Sequence, residues 1–544
     1  MMKKNQLILT LLLLAVGISA CKDNFLEEKP FSFLAPESSY NTDEGLSAGA
    51  IGLYDEFIAP YSTNGKFENA YPLLFGATDI VRGGYAPSQS VYFRQSSDYT
   101  PLSGLISTLW DHYYSLANNA AVIIDRSAVH EWKNAEVRKQ TEGEAHFFRA
   151  YAHFYLSQLW GPIPLIDKEG TGVKLDFKQN SMAEILQLIE SDLKAAEENL
   201  SYDEYKGQAG RITKGAVQHL LAYAYLSFGQ YKNAEIYARK VIDSGHYELM
   251  TQRFGSLKNN SEGNVFWDLF QIGNQNRATG NKESILVIQN EDINIYPTLG
   301  YNDSSFGTFK HNRQLYPPYW QISGLAISGI YGGRGIGREA ATIFWCDNFT
   351  PSDIRGKMPC VQKVYIYNDP QDLPQGKVLG DTLFDYNQPG KFSSFNKEEL
   401  RLRPYPTKWN WHEGDAPDNG TFVQDLYIYR LSETYLILAE ALLLQNNTND
   451  AAEYINIVRR RAGAPDISPG DVSVDFILDE RGRELWGEVP RRVDLYRTGK
   501  YVERTRLYNP EAGPNVQDKH ALLPIPQSEM DLNSESPLVQ NPGW

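Results

Sequence analysis

Cysteine is nearly absent from this chain, with three in 544 residues. That excludes a disulfide-stapled scaffold and leaves stability to a packed core. Only Cys346 and Cys360 lie beyond the amino-terminal stretch. A bond between them would add about 3 kcal/mol in the chain-entropy model, and two separate buried thiols are an equal expectation. Excess positive charge is also missing. The net charge of −15 argues against a nucleic-acid partner, which favours a basic surface. Beyond the first 20 residues no apolar run approaches the ~20 residues of a membrane-spanning helix. Catalytic signatures are lacking too: there is no His-Glu-x-x-His zinc helix and no phosphate loop ending in Gly-Lys-Ser/Thr, and we read no serine nucleophile elbow. The expectation is no metal, no cofactor and no catalytic residue. The glycine-rich "YGGRGIGRE" lacks the following helix of a nucleotide-binding unit and reads as a ligand or hinge loop.

What is present begins at the first residues. Lys3 and Lys4 precede an apolar run over residues 7–16 broken only by Thr10, and the small Ser19 and Ala20 stand directly before Cys21. This is a signal-peptide layout. Ile18-Ser19-Ala20-Cys21 resembles a bacterial lipobox, in which the cysteine is acylated and becomes the mature amino terminus. Several acyl chains on one residue anchor stably where a single chain does not. Residues 1–20 therefore read as signal peptide and 21–40 as acylated Cys21 and tether.

Helical patterning is strongest in two blocks. In "EAHFFRAYAHFYLSQLWG", Ala145, Phe148, Ala152, Tyr155 and Leu159 form one apolar face, ended by Gly161 and Pro162. Ser181 with Glu184 is a capping-box pattern. Ala222, Tyr225, Gly229, Tyr231, Ala234 and Ala238 have the spacing of a tetratricopeptide helix pair, and Ala439, Leu442, Asn446, Thr448, Ala451 and Ile455 repeat that register. Two such units predict stacking into one scaffold. The fold class is mainly α: a tetratricopeptide-like helical-repeat scaffold with a long irregular, loop-rich insert containing a few short strands. Residues 41–250 form the amino-terminal helical part, 251–420 the aromatic-rich insert, and 421–544 the carboxy-terminal helical part.

Several segments, in order, resemble the SusD/RagB family of outer-membrane nutrient-binding lipoproteins of Bacteroidetes. They are the lipobox at Cys21, "EGEAHFFRAYAHFYLSQLWGPIPLI", "YRLSETYLILAEALL" with "INIVRRRAG", "ILDERGRELWGEVPRRVDLYRTGKY" and the terminal "LLPIPQSEMDLNSESPLVQNPGW". Val489 and Pro490 depart from the usual family turn. The resemblance implies a cell-surface, lipid-anchored binding protein of the outer membrane that acts as a lid over a SusC-like TonB-dependent transporter. It implies no enzyme, and no membrane contact beyond the lipid. The acidic residues of "KDNFLEE" resemble a surface-export tag. The charges of "DERGRELWGEVPRRVD" read as structural ion pairs or a partner-facing surface.

An oligosaccharide ligand needs flat aromatic faces for its C–H surface and polar side chains for its hydroxyls. The insert offers Tyr296, Tyr301, Tyr319, Trp320, Tyr331, Arg334, Trp409 and Trp411, and the loop after Thr78 offers Asp79, Arg82 and Tyr85. Core packing competes for each ring, above all for Trp345 and Trp409. Peptide capture by the same fold is the alternative, since an aromatic groove serves either ligand. A glycosidase is the weakest reading, because the separation of two carboxylates belongs to the fold.

Overall fold

The computed structural model describes residues 39–61, 71–85, 90–170, 172–290, 314–387, 396, 399–410 and 424–544. Cys21, Tyr296, Tyr301 and Trp411 lie outside them.

Helix α1 (Asp43–Ile58) starts where the Thr42 side chain accepts from the Gly45 amide, with Asp43 and Glu44 placed favourably in its first turn. A Gly-x-Ser-x-Gly string at Gly45, Ser47 and Gly49 falls inside this helix. It is therefore no nucleophile elbow, which requires a strand-to-helix turn. Helices α2 (Gly104–Val129) and α3 (Ala135–Trp160) pack against α1 and each other. The expected single apolar face of α3 becomes a fully enclosed helix: from Gly143 to Trp160 every residue except His146 is buried. The cause is that α1, α2 and α4 (Met182–Asn199) crowd around it. Gly161 ends α3 at φ +77°, a conformation glycine adopts without strain. The Ser181–Glu184 capping box opens α4 as the pattern predicts.

The two repeat units are built alike. Helices α5 (Lys214–Ser227) and α6 (Tyr231–Ile242) form one antiparallel pair, and α7 (Leu431–Leu443) and α8 (Thr448–Arg461) form the other. Gly229 and Asn446 take the same left-handed cap, at φ +77° and +64°. In each turn the next amide reaches back to a helix carbonyl, Gln230 to Tyr225 at 2.8 Å and Asn447 to Leu442 at 2.9 Å. Helix α6 packs on α7, so the pairs stack despite about two hundred intervening residues. The fold is the expected helical-repeat scaffold.

Short antiparallel strand pairs tie the insert to this scaffold and to itself. Strand β1 (Val81–Gly83) pairs with β3 (Glu339–Ala341), and β2 (Ser284–Ile288) pairs with β8 (Leu426–Arg430). Strand β4 (Val361–Gln362) pairs with β7 (Tyr405–Pro406), and β5 (Val364–Ile366) with β6 (Thr382–Asp385).

Helix α9 (Val474–Leu485) carries the "LDERGREL" charges into the interior. Arg355 contacts Glu480 at 2.7 Å and Glu484 at 3.0 Å. Arg430 contacts Glu283 at 2.6 Å, Glu484 at 2.9 Å and Glu488 at 2.5 Å, while Arg461 joins Glu283 at 2.8 Å and also Glu484. Arg481 bridges Glu433 at 2.8 Å and Asp494 at 2.7 Å. All these side chains are buried, so the charges of this motif are structural. Helix α10 (Arg491–Arg497) follows Pro490 at its cap, where φ of −57° suits a proline. This accommodates the departure at Val489 and Pro490.

Removing one partner of such a network leaves buried charge uncompensated. Glu484→Gln, which unbalances Arg355, Arg430 and Arg461, is expected to cost ~3–5 kcal/mol in urea unfolding. Arg460→Ala, which breaks an exposed pair with Glu453 and Asp466, is expected to change little. The arginines around Glu480 and Asp494 outweigh burial and hold both carboxyls down at about 2. Unfolded carboxyls titrate near ~4. This stabilisation is therefore complete above about pH 4 and is lost as pH falls toward 2, which acid unfolding followed by circular dichroism will register.

Candidate functional site

The amino-terminal loop begins from a rigid anchor. The Thr78 hydroxyl donates to the Phe75 carbonyl at 3.1 Å and accepts from the Val81 amide at 3.3 Å. The Asp79 carboxylate is fully enclosed between Arg491 at 2.6 Å and Arg504 at 2.7 Å. These guanidiniums overcome burial and hold its pKa below the ordinary value. Asn509 donates to both the Thr78 and Val81 carbonyls, at 2.8 and 3.0 Å. Asp79 was expected at the ligand. The structure assigns it to the anchor, because a buried carboxylate doubly paired with arginine has no access to a sugar hydroxyl.

Beyond the anchor the chain surfaces along β1. Arg82 turns its Nε to the Gly83 carbonyl at 3.1 Å and lies 3.7 Å from Glu511. Tyr85 is half-buried. Its hydroxyl accepts from Arg401 Nη2 at 2.7 Å, and the guanidinium stands 4.7 Å from the Tyr85 ring centroid. The other arm of Arg401 reaches the Gln321 carbonyl at 3.3 Å. Arg401 thereby ties the amino-terminal loop to the insert. Sequence reasoning missed it, since "KEELRLRP" looks like an ordinary charged stretch.

The insert contributes a pair of neighbours with opposite fates. The Tyr319 ring is buried, with its hydroxyl donating to the Gly333 carbonyl at 2.8 Å and accepting from the Ser328 amide at 3.0 Å. Trp320 is half-buried, fixed by its Nε1 donating to the Gly335 carbonyl at 2.9 Å, and the Arg334 guanidinium lies 5.1 Å from its ring centroid. The glycine-rich loop thus receives the polar ends of both rings. Gly335 has to be glycine, because a Cβ there would stand 2.4 Å from the Tyr316 carbonyl oxygen. The helix that follows this loop, Ile343–Asp347, is only five residues long.

Tyr331 also departs from expectation, and Trp409 takes the core role that competed with its candidacy. The Tyr331 hydroxyl donates to the Ile366 carbonyl at 2.8 Å, and its ring packs 4.9 Å from Tyr319 and 5.1 Å from Tyr365. The Trp409 amide donates to the Tyr316 hydroxyl at 3.0 Å, with its ring 6.4 Å from Trp486. Tyr319, Tyr331 and Trp409 are core residues, because their rings are covered and offer no face to a ligand. Trp345 is core as well, its Nε1 donating to the Gly482 carbonyl at 2.8 Å. Of the ligand candidates read from the sequence, Tyr85, Trp320, Arg334 and the partly covered Arg82 keep exposed surface, and Arg401 joins them through Tyr85 and Gln321.

Acid chemistry finds little support at this face. Glu339 on β3 has both carboxylate oxygens without a hydrogen-bond partner, and burial pushes its pKa well up. Such perturbed acids recur at catalytic sites, yet Glu339 is only 2% exposed. Among the described residues, no group of three or more His, Cys, Asp or Glu is arranged to hold a metal ion.

The family models bracket this arrangement. A model of the SusD family matches residues 364–544, and one described as starch-binding, associating with the outer membrane, matches residues 24–226. The chain belongs to the SusD/RagB family. A SusD-like protein of Bacteroides ovatus is 25% identical over 593 residues, covering 97% of this chain and 96% of its own length. The starch-binding protein SusD of Bacteroides thetaiotaomicron is 26% identical over 455 residues, covering 76% of this chain and 74% of its own. Among solved structures, surface glycan-binding protein A of Bacteroides thetaiotaomicron in complex with laminarihexaose matches with a TM-score of 0.69 at 22% identity, covering 92% of this chain and 99% of that one. That likeness is one of fold. The aromatic segment 319–341 falls between the two matched regions, so in this SusD-family chain the site rests on its own geometry.

The two cysteines remain separate buried thiols, and the disulfide considered from sequence is not formed. Burial raises each thiol to about 12, which leaves almost no reactive thiolate at neutral pH. Iodoacetamide is expected to leave both unmodified in the native protein and to alkylate both in denaturant, as intact mass will show.

Proposed function

We propose that this SusD-family protein captures oligosaccharides at the face formed by Tyr85, Trp320, Arg334 and Arg401, and delivers them as a lid to a SusC-like TonB-dependent transporter in the outer membrane. The observation that carries the reading is Trp320: a half-buried indole whose N–H is already used by the Gly335 carbonyl and over whose ring the Arg334 guanidinium lies, so that an aromatic face and a donor group stand together. Such a face stacks on a sugar ring, while Arg334 and Arg401 donate to its hydroxyls or ring oxygen. The names of the starch-binding and laminarihexaose-bound relatives favour the same ligand class. Anchoring through acylated Cys21, surface exposure and ligand release without chemistry complete the proposal. Arg82 and the residues Tyr296, Tyr301 and Trp411 are further candidates for the same ligand.

Trp320→Ala is expected to weaken oligosaccharide binding about five- to hundredfold, from the ~1–3 kcal/mol of one large apolar side chain, with the thermal midpoint nearly unchanged. Calorimetric titration beside a thermal melt separates this from a collapse of the core. Undiminished binding would remove Trp320 from the site, and new reducing ends released by the unaltered protein would overturn the non-enzymatic reading. Recovery of a transporter with the protein from mild-detergent extracts tests the partnership, whose interface should exceed the ~1,600 Å² of a standard complex. Cys21→Ala is expected to leave the membrane fraction or to retain its signal peptide.

A further inference from the structure

A cavity among the described residues shares no lining residue with the aromatic face. Its volume is about 410 Å³, within the range of small-molecule sites. Trp110 and Tyr114 of α2 form one wall. The segment after α3 supplies Ile166, Leu175 and Phe177, and the far wall comes from Leu538 and the short helix α11 (Gln527–Leu532).

These walls are latched together across more than 350 residues of chain. Phe177 and Asn533 exchange two hydrogen bonds of 2.8 Å, the Glu535 amide donates to the Leu175 carbonyl at 2.9 Å, and the Tyr114 hydroxyl donates to the Pro164 carbonyl at 2.9 Å. The walls of the cavity are thus pinned to one another, and the Tyr114 hydroxyl and the Asn533 amide are already used in doing so. A neutral sugar, which needs partners for several hydroxyls, is poorly served here.

The charged groups that face the cavity are Asp111, Glu529 and Lys174. Lys174 leans over the Phe177 ring, 4.7 Å from its centroid. Glu529 is half-buried, and the Ser528 hydroxyl donates to it at 3.5 Å. Burial and then the Asp111 charge push its carboxyl above the ordinary value, so two acidic groups repel each other at an apolar, aromatic-walled cavity. A cation would relieve that repulsion and gain from the Trp110 and Tyr114 rings.

We propose that this cavity is a second ligand site, specific for a small organic cation: an ammonium group carried on an aromatic or short alkyl body, with the body among Trp110, Ile166 and Phe177 and the ammonium at Asp111 and Glu529. The proposal stands apart from glycan capture.

The test uses 3-phenylpropylammonium and its anionic counterpart 3-phenylpropionate, each titrated calorimetrically into the full chain. The cation is expected to bind saturably with one site, and the anion at least about tenfold more weakly, as loss of a charge-assisted contact implies. Combining Asp111→Asn with Glu529→Gln is expected to erase that preference with the thermal midpoint retained, and Trp320→Ala is expected to leave amine binding unchanged. Absence of saturable amine binding at millimolar concentration, equal binding of the two probes, or a preference that survives both carboxamide substitutions would overturn the proposal. Loss of amine binding in Trp320→Ala would place the ligand at the aromatic face and overturn it as well.

Discussion

The guanidinium of Arg430 holds together parts of the chain that no local interaction would join. It ends β8, begins α7, and meets Glu283 from the start of β2 and Glu484 from α9. Arg461 and Arg355 close the network from α8 and from the insert. Isolated buried charges are prohibitively costly, so each member constrains its partners to their places. The second helix pair, the β2–β8 ladder and the insert are therefore fixed relative to α9 as one unit.

The candidate site inherits its position from the same helix region. Arg491 of α10 grips Asp79, which sets the start of β1, and the pairing of β1 with β3 aligns the amino-terminal loop with the glycine-rich loop. Trp345 donates to the Gly482 carbonyl within α9, which places the segment immediately after β3. A loop site on a rigid frame is a common arrangement for binding proteins. Here the frame is ionic at its centre and helical at its edges.

Within the site, hydrogen bonding decides which ring is available. Tyr319 and Trp320 are adjacent, and both commit their polar atom to a carbonyl of the glycine-rich loop. In the short turn they share, one ring points inward to Tyr331 and Tyr365 and the other outward beneath Arg334. Adjacent aromatics in loop-like sequence are thus not equivalent candidates. Each packs as the nearest carbonyl and the nearest cavity allow.

The sequence by itself determined the helical-repeat architecture, with its turns near Gly229 and Asn446, the cap at Ser181 and the helix end at Gly161. Those follow from local rules: periodicity, capping and turn geometry act over a few residues and leave their mark in any short window. The tertiary structure decided which aromatics face solvent, that Asp79 is an anchor, that Arg401 joins two loops, and that Cys346 and Cys360 stay apart. It also decided that a cavity opens between α2 and α11. Each of these depends on contacts between residues tens to hundreds of positions apart, such as Asp79 with Arg491 or Phe177 with Asn533. Nothing in the composition of a loop encodes its partner. Pairing is set only when burial and charge balance are satisfied everywhere at once.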